Sequence, residues 1–207
     1  TSTHASLGGG GLYIGDYSGI MQVSNIKIID NISNCRAGGV KIGDSEPIFN
    51  NVLIANNFSV FEGGGIESSI GANPTLVNTS VVNNSSSYGT GGIYNFNSTD
   101  MIIINSIISD NSFSQIHIES QAQIQYLYVS NSLIEGGQSG IISVGNVIDW
   151  GDGNINVNPL FEDTANGDYR LSNFSPCIGA GLDTSIVPTT DIDGNPKPNP
   201  AGSNPDM

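Results

Sequence analysis

The chain has 207 residues, enough for one domain with a sizeable core, and it combines 27 glycines with only 12% charged residues and a formal net charge of -14. Its five cations, Lys27, Arg36, Lys41, Arg170 and Lys197, stand against 19 carboxylates, which disfavours nucleic acid and anionic membrane surfaces as partners and favours divalent cations. No apolar run approaches the roughly 18 residues of a membrane span, so no transmembrane segment is expected.

In chain order, Gly-Gly followed by an aliphatic residue occurs at Gly10-Gly11-Leu12, Gly38-Gly39-Val40, Gly64-Gly65-Ile66 and Gly91-Gly92-Ile93, with degenerate copies at Ile116 and Ile141. The steps between the aliphatic positions are 28, 26, 27, 23 and 25 residues. A second register agrees: Asn25, Asn51, Asn78, Asn105 and Asn131 recur, and six residues later come Asn31, Asn57, Asn84 and Asn111, with Gly137 in the fifth place. Such a period in a β-branched, helix-poor sequence predicts an all-β solenoid, a right-handed single-stranded parallel β-helix of about six coils over residues 1–157. Two further apolar columns flank the first Asn: Val23, Phe49, Leu76, Ile103 and Val129 two residues before it, and Ile28, Ile54, Val81, Ile108 and Ile134 three after. With the column after Gly-Gly they make three inward ladders, one per face of a three-strand coil. Asn25, Asn51, Asn78, Asn105 and Asn131 then fall at the bend between the second and third faces. There a left-handed backbone suits Asn, and an inward ladder of amides hydrogen bonded from coil to coil is expected. The Gly pairs read as turn residues, because no helix follows to make a phosphate cradle.

Residues 158–207 lack the period and are rich in Pro and Asp. They are expected to cap the end of the solenoid, burying Leu160, Phe161, Leu171, Phe174 and Ile178. Cys35 and Cys177 lie about five coils apart on this reading, beyond disulfide reach at roughly 4.8 Å per coil.

The Gly-Gly-Ile and Asn-x5-Asn repeats resemble right-handed parallel β-helix proteins of the pectin-lyase-like type. The tail segments Asn158-Pro159-Leu160-Phe161, Gly167-Asp168-Tyr169-Arg170-Leu171, Ser175-Pro176-Cys177-Ile178-Gly179-Ala180-Gly181 and Asp191-Ile192-Asp193-Gly194-Asn195-Pro196 are similar to the end of bacterial secreted proteins with a choice-of-anchor Q region. That resemblance implies an extracellular or cell-surface location, a glycan or polysaccharide as partner, and a longer protein with an anchoring or sorting module beyond Met207. It brings no catalytic residues, since the group has no uniform activity.

In pectin-lyase-like enzymes substrate lies along the first-strand face. Just after the inward aliphatic position that face carries Tyr13, Lys41, Glu67, Tyr94, His117 and Ile142, and two residues on come Gly15, Gly43, Ser69, Phe96, Glu119 and Val144. Glu67, Tyr94, His117 and Glu119 are therefore the candidate catalytic residues. The two carboxylates fall about 10 Å apart across two coils, somewhat wide for an inverting glycosidase pair, while His117 and Tyr94 suit base and acid in a β-elimination. No Arg is expected on this face to neutralise a uronate, which leaves Lys41 or calcium. Tyr13, Tyr94 and Phe96 alternatively form a carbohydrate-binding face, and an ordinary solvated strand face is the plain structural alternative.

Asp191, Asp193 and Asn195 have the alternating oxygens of a calcium loop, but Pro196 and Gly202 stand where an EF-hand has Gly and Glu. An Asp-Gly turn accounts for the same residues. Asp149, Asp152 and Asn154 form a weaker calcium candidate. No other cofactor is expected. The function expected is thus a non-catalytic surface stalk, adhesin or carbohydrate-contacting module, with a polysaccharide lyase or glycoside hydrolase as the alternative.

Overall fold

The computed structural model describes residues 4–5, 8–15, 17–69, 71–98, 100–121, 123–197 and 202–207. Within them the chain winds into a parallel β-solenoid of about five turns. The first face stacks Leu12–Ile14, Val40–Ile42, Ile66–Ser69, Ile93–Phe96, Ile116–Glu119 and Ile142–Ser143 in parallel. The second and third faces form one bent sheet, which begins with the long strands Tyr17–Ile29, Ser45–Ala55 and Thr75–Val82. A fourth, short face that the three-ladder reading did not anticipate is built from two-residue strands, among them Ile32–Ser33, Phe58–Ser59 and Ser85–Ser86.

Each ladder residue meets its equivalent in the next coil. Val40 pairs with Ile66, Phe49 with Leu76, and Ile54 with Val81. All six are fully buried in a single apolar column through the solenoid. The bends are set by asparagine: Asn25, Asn51, Asn78, Asn105 and Asn131 all have left-handed backbones, with φ between +45° and +56°. A second left-handed column, Asp30, Asn56, Asn83 and Asp110, turns the chain onto the fourth face.

The coil-to-coil amide ladder runs in the other Asn column, a correction to the sequence reading. Nδ2 and the backbone N–H of Asn31 both donate to Asn57 Oδ1, those of Asn57 to Asn84 Oδ1, and those of Asn84 to Asn111 Oδ1, at 2.9–3.0 Å. Gly137 cannot continue the ladder, and Gln115 closes it by accepting from Asn111 Nδ2 at 2.7 Å and donating to Glu135 at 2.8 Å. The second Gly of the first three pairs abuts this ladder, and Gly92 abuts the Gln115 backbone. A Cβ on Gly65 would lie 3.0 Å from Asn84 Nδ2 and 2.8 Å from Val81 Cγ1, so the pair is required by close approach and not by turn geometry.

Asn51, Asn78, Asn105 and Asn131 instead point their amides out at the tail. Asn51 Nδ2 donates to the Thr190 carbonyl (2.6 Å) as well as to Asn25 Oδ1 (3.0 Å), Asn78 Nδ2 to Asp206 (2.8 Å) and Asn105 Nδ2 to Leu182 (2.9 Å). Leu182 N–H returns a bond to Asn105 Oδ1, and Asn131 Nδ2 reaches Ala180 at 3.5 Å. The tail therefore lies along the flank of the solenoid, across several coils, and not over its end. There it covers a second apolar cluster of Ala55, Val82, Ile107, Leu133, Cys177 and Met207. Phe161 and Leu171 pack against that cluster, whereas Phe174 is 88% exposed and Leu160 and Ile178 are also exposed.

Three outcomes follow. Asn84→Ala orphans buried ladder groups and should lower unfolding free energy by about 1–3 kcal/mol, whereas Asn83→Ala, on the outer corner, should change it far less. In denaturant titrations Gly65→Ala combined with Asn84→Ala should cost less than the sum of the two, since they disturb one contact. Deleting residues 158–207 should expose the flank cluster and orphan the outward Asn amides, so the truncated chain should melt lower and self-associate in sedimentation.

Candidate functional site

The parallel register builds the first-face column as the spacing suggested: Tyr13, Lys41, Glu67, Tyr94 and His117 stand side by side in successive coils, with Phe96 next to Glu119. The candidate catalytic residues are thus brought together. Their states differ from those expected of an open site. Glu67 and Tyr94 are each only 2% exposed. Lys41 Nζ lies 3.1 Å from Glu67 Oε2 in an ion contact without hydrogen-bond alignment, and Arg36 Nη1 is 3.8 Å from Oε1.

Arg36 corrects the expectation that this face has no arginine. It sits in the corner before Gly38, and its guanidinium lies over the rings of Tyr94 at 5.3 Å and Phe96 at 5.6 Å. The linear column could not reveal it, because its contribution comes from a corner whose side chain folds over the strand face. Tyr94 and Phe96 stack with centroids 5.9 Å apart, and His117 tilts against Tyr94 at 5.3 Å.

Tyr94 donates its hydroxyl proton to Glu119 Oε2 at 2.7 Å. Burial, followed by the hydrogen bond to Glu119 and its negative charge, holds the Tyr94 hydroxyl far above the ordinary tyrosine range. Each acid–base candidate on the face is therefore engaged with a protein partner: Glu67 with two cations, Tyr94 with Glu119, His117 with the Tyr94 ring. A buried carboxylate held by two partly exposed cations fixes the corner to the sheet. It is a structural ion cluster more than a reactive one.

The proposed stacking face is only partly available. Tyr13 is 59% exposed, its ring leaning over Gly15, where a Cβ would collide with the phenol. Tyr94 is buried and Phe96 half-buried beneath Arg36. A more accessible aromatic file lies at the neighbouring corner, where Phe61, Tyr88 and Phe113 are 47%, 68% and 75% exposed in consecutive coils. Phe61 and Tyr88 stack at 6.1 Å, and Phe113 holds a left-handed backbone with φ +62°. Sequence reading missed this file because it aligned strands, not corners, although 61 and 88 are one period apart.

Of the calcium candidates, Asp191 and Asn195 form a self-contained turn. Asp191 Oδ1 accepts the N–H groups of Asp193 and Asn195 at 2.9 and 2.8 Å, and Oδ2 accepts Asn195 Nδ2 at 2.8 Å. Partial burial opposes ionisation of Asp191, yet the bonds from Asn195 and Asp193 hold its carboxyl below the usual range. Asp193 pairs with Lys27 at 3.1 Å. The three residues thus do not converge on a common point, and among the described residues no group of three or more His, Cys, Asp or Glu is arranged to hold a metal ion. Asn154, in the second candidate, accepts Ser132 N–H and donates to Val129, extending a polar ladder. Cys177 is buried, and burial pushes its thiol up to about 11.

Comparison with known proteins finds no matching family model, no matching curated protein and no matching solved structure. No helix among the described residues is long and apolar enough to cross a membrane.

The Tyr94 hydroxyl gives a pH prediction. Its folded pKa is raised above the unfolded value of about 10, so its contribution to stability is complete below pH ~10 and is lost as pH rises above it. Tyr94→Phe should flatten that alkaline loss in denaturation midpoints measured from pH 8 to 11. Removing both cations with Arg36→Gln and Lys41→Met should destabilise by on the order of 3 kcal/mol, by stranding a buried charge, and adding Glu67→Gln should restore part of the loss.

Proposed function

We propose that this chain is a non-catalytic contact module, a right-handed β-helix belonging to a bacterial extracellular or cell-surface protein, that binds a neutral glycan along its aromatic corner. The observation that carries the reading is the file of Phe61, Tyr88 and Phe113, exposed in consecutive coils. Large aromatic side chains left in water forgo burial energy, and three of them exposed in successive coils, two of them stacked, mark an interaction surface. The left-handed backbone of Phe113 adds to this, since strain at an exposed bulky residue needs a reason outside packing.

A neutral glycan suits the surface for two reasons. Sugar C–H faces pack on aromatic rings, and a net charge of -14 opposes polyanions. The regular step from coil to coil, roughly 4.8 Å, favours an extended repeating ligand over a compact one. Location at the cell surface rests on the likeness of the repeats and tail to pectin-lyase-like secreted proteins. Turnover is disfavoured because Glu67 is buried in ion contact with Lys41 and Arg36, and Tyr94 gives its hydroxyl proton to Glu119.

Affinity electrophoresis through neutral polysaccharides, with assays for reducing and unsaturated ends, tests this. Retardation without product is expected, weakened about tenfold in Tyr88→Ala/Phe113→Ala, as two ring contacts of roughly 0.5–1.5 kcal/mol imply. Product release abolished by Glu67→Gln or His117→Ala, in variants that still fold, would establish the lyase or glycosidase alternative instead.

A further inference from the structure

The second face of the solenoid carries an apolar strip on its outer side. Alternation turns every second residue of a strand outward, and the parallel register stacks Ile48, Thr75, Ile102 and Tyr128 in successive coils. Two residues earlier along the strands, Asp100, Tyr126 and Val147 stack in the same way. Ile102, Tyr126, Tyr128 and Val147 are all exposed. Two residues later comes the column of Asn50, Val77, Ile104 and Ser130. There Val77, although turned outward, is fully buried, beside the Asn78 amide that holds the tail at Asp206. The open strip therefore continues a surface that already serves as a contact face within the molecule.

The charges on this face are of one sign. Asp149 stacks beside Tyr128, Asp100 beside Tyr126 and Glu46 beside Ile20. All three carboxylates are exposed, and none forms a salt bridge among the described residues. A partner that fits brings apolar side chains edged by Lys or Arg. A second copy of this chain has no such edge to offer. Its Arg36 and Lys41 lie against Glu67, and its Lys27 and Arg170 pair with Asp193 and Asp168. Lys197 lines the cleft between flank and tail together with Lys27 and Arg170, half-buried and attracted by Asp206 and Asp191. Aliphatic Ile48, Ile102 and Val147 among the tyrosines also suit protein side chains better than a sugar.

We propose that this face docks a cationic amphipathic helix of a partner protein. A helix turn rises about 5.4 Å and a coil roughly 4.8 Å, so a helix laid along the columns presents one apolar residue per coil and drifts by only about 2 Å over three coils. Lysines or arginines flanking its apolar stripe then meet Asp100 and Asp149. The face is separate from the aromatic corner, and the proposal does not depend on the glycan reading.

Fluorescence anisotropy on the full chain tests it, with a labelled helix-forming peptide of about 15 residues that carries leucines on one side and lysines on the other. Saturable binding that weakens with salt is expected, and binding of oligolysine or of a Leu/Glu peptide should be at least tenfold weaker. Ile102→Thr with Tyr128→Ser should weaken the Leu/Lys peptide about tenfold, and Asp100→Asn with Asp149→Asn should flatten the salt dependence. Phe174→Ser, an exposed apolar position on the tail, should change nothing. Should the strand double variant fail to fold, Thr75→Lys sets a cation in the middle of the strip and should abolish binding. Equal binding of oligolysine, indifference to Thr75→Lys, or displacement of the peptide by a chitin oligosaccharide would each overturn the proposal. So would self-association of the chain that Thr75→Lys reverses, since the face would then belong to a second copy.

Discussion

The interior amide ladder of Asn31, Asn57, Asn84 and Asn111 constrains the rest of the solenoid. A primary amide buried beside isoleucines is tolerable only if both its oxygen and its nitrogen are bonded; Asn57 and Asn84 meet that condition by bonding the coils on either side, and Asn111 by bonding Asn84 and the Gln115 of its own coil. Nδ2 also reaches back across a coil: Asn57 to the Ile28 carbonyl, Asn84 to Ile54, Asn111 to Val81. Each coil is thereby tied at one point to both neighbours, and the stacking register is fixed to the residue. A slip of one position would strand every amide in the column, a larger penalty than the apolar ladders alone could impose, because isoleucine on isoleucine tolerates small shifts.

That constraint explains the glycines and the bends together. Gly11, Gly39 and Gly65 each face the ladder amide of their own coil, and side chains there would push it out of line, while Gly92 abuts the Gln115 backbone where the ladder closes. The residue before each ladder Asn must turn the chain inward, and Asp30, Asn56, Asn83 and Asp110 do so with left-handed backbones that few side chains accept cheaply. Gly-Gly and Asx-Asn are thus two sides of one contact, separated by about twenty residues of strand. The outer Asn column uses the same left-handed bend for a different purpose. Its amides, turned outward, read backbone carbonyls of the tail and need no particular side chain in return. This suits a tail of irregular sequence.

The repeat made the coil, the inward ladders and the first-face neighbours legible, because a parallel solenoid converts sequence period directly into spatial adjacency. The column from Tyr13 to His117 is an instance. Which Asn column faces inward was not legible from period alone, since both recur at the same step. The doublet Asx-Asn was the available sign, as a left-handed residue followed at once by an inward one. Position of the tail was harder still. An open strand edge suggested an end cap, but the outward amides of Asn51, Asn78 and Asn105 made the flank the more demanding surface. Arg36 and the aromatic corner were missed for a shared reason: corner residues have no fixed facing, so alternation along strands says nothing of where they project.

The placement of the few cations bears on what kind of surface this is. Arg36 and Lys41 converge on one buried carboxylate, while Lys27, Arg170 and Lys197 all line the flank cleft. In a chain with a net charge of -14, so few cations leave the surface as a whole to repel polyanions. Arg36 shows the consequence most plainly. Stacked on Tyr94 and Phe96, it covers the rings that strand alternation presented as a sugar platform. By anchoring the corner through Glu67, it also helps fix the loop that leads to Gly38. The aromatic character of this side of the molecule is thereby displaced from the strand to the corner, where Phe61, Tyr88 and Phe113 are solvent-exposed.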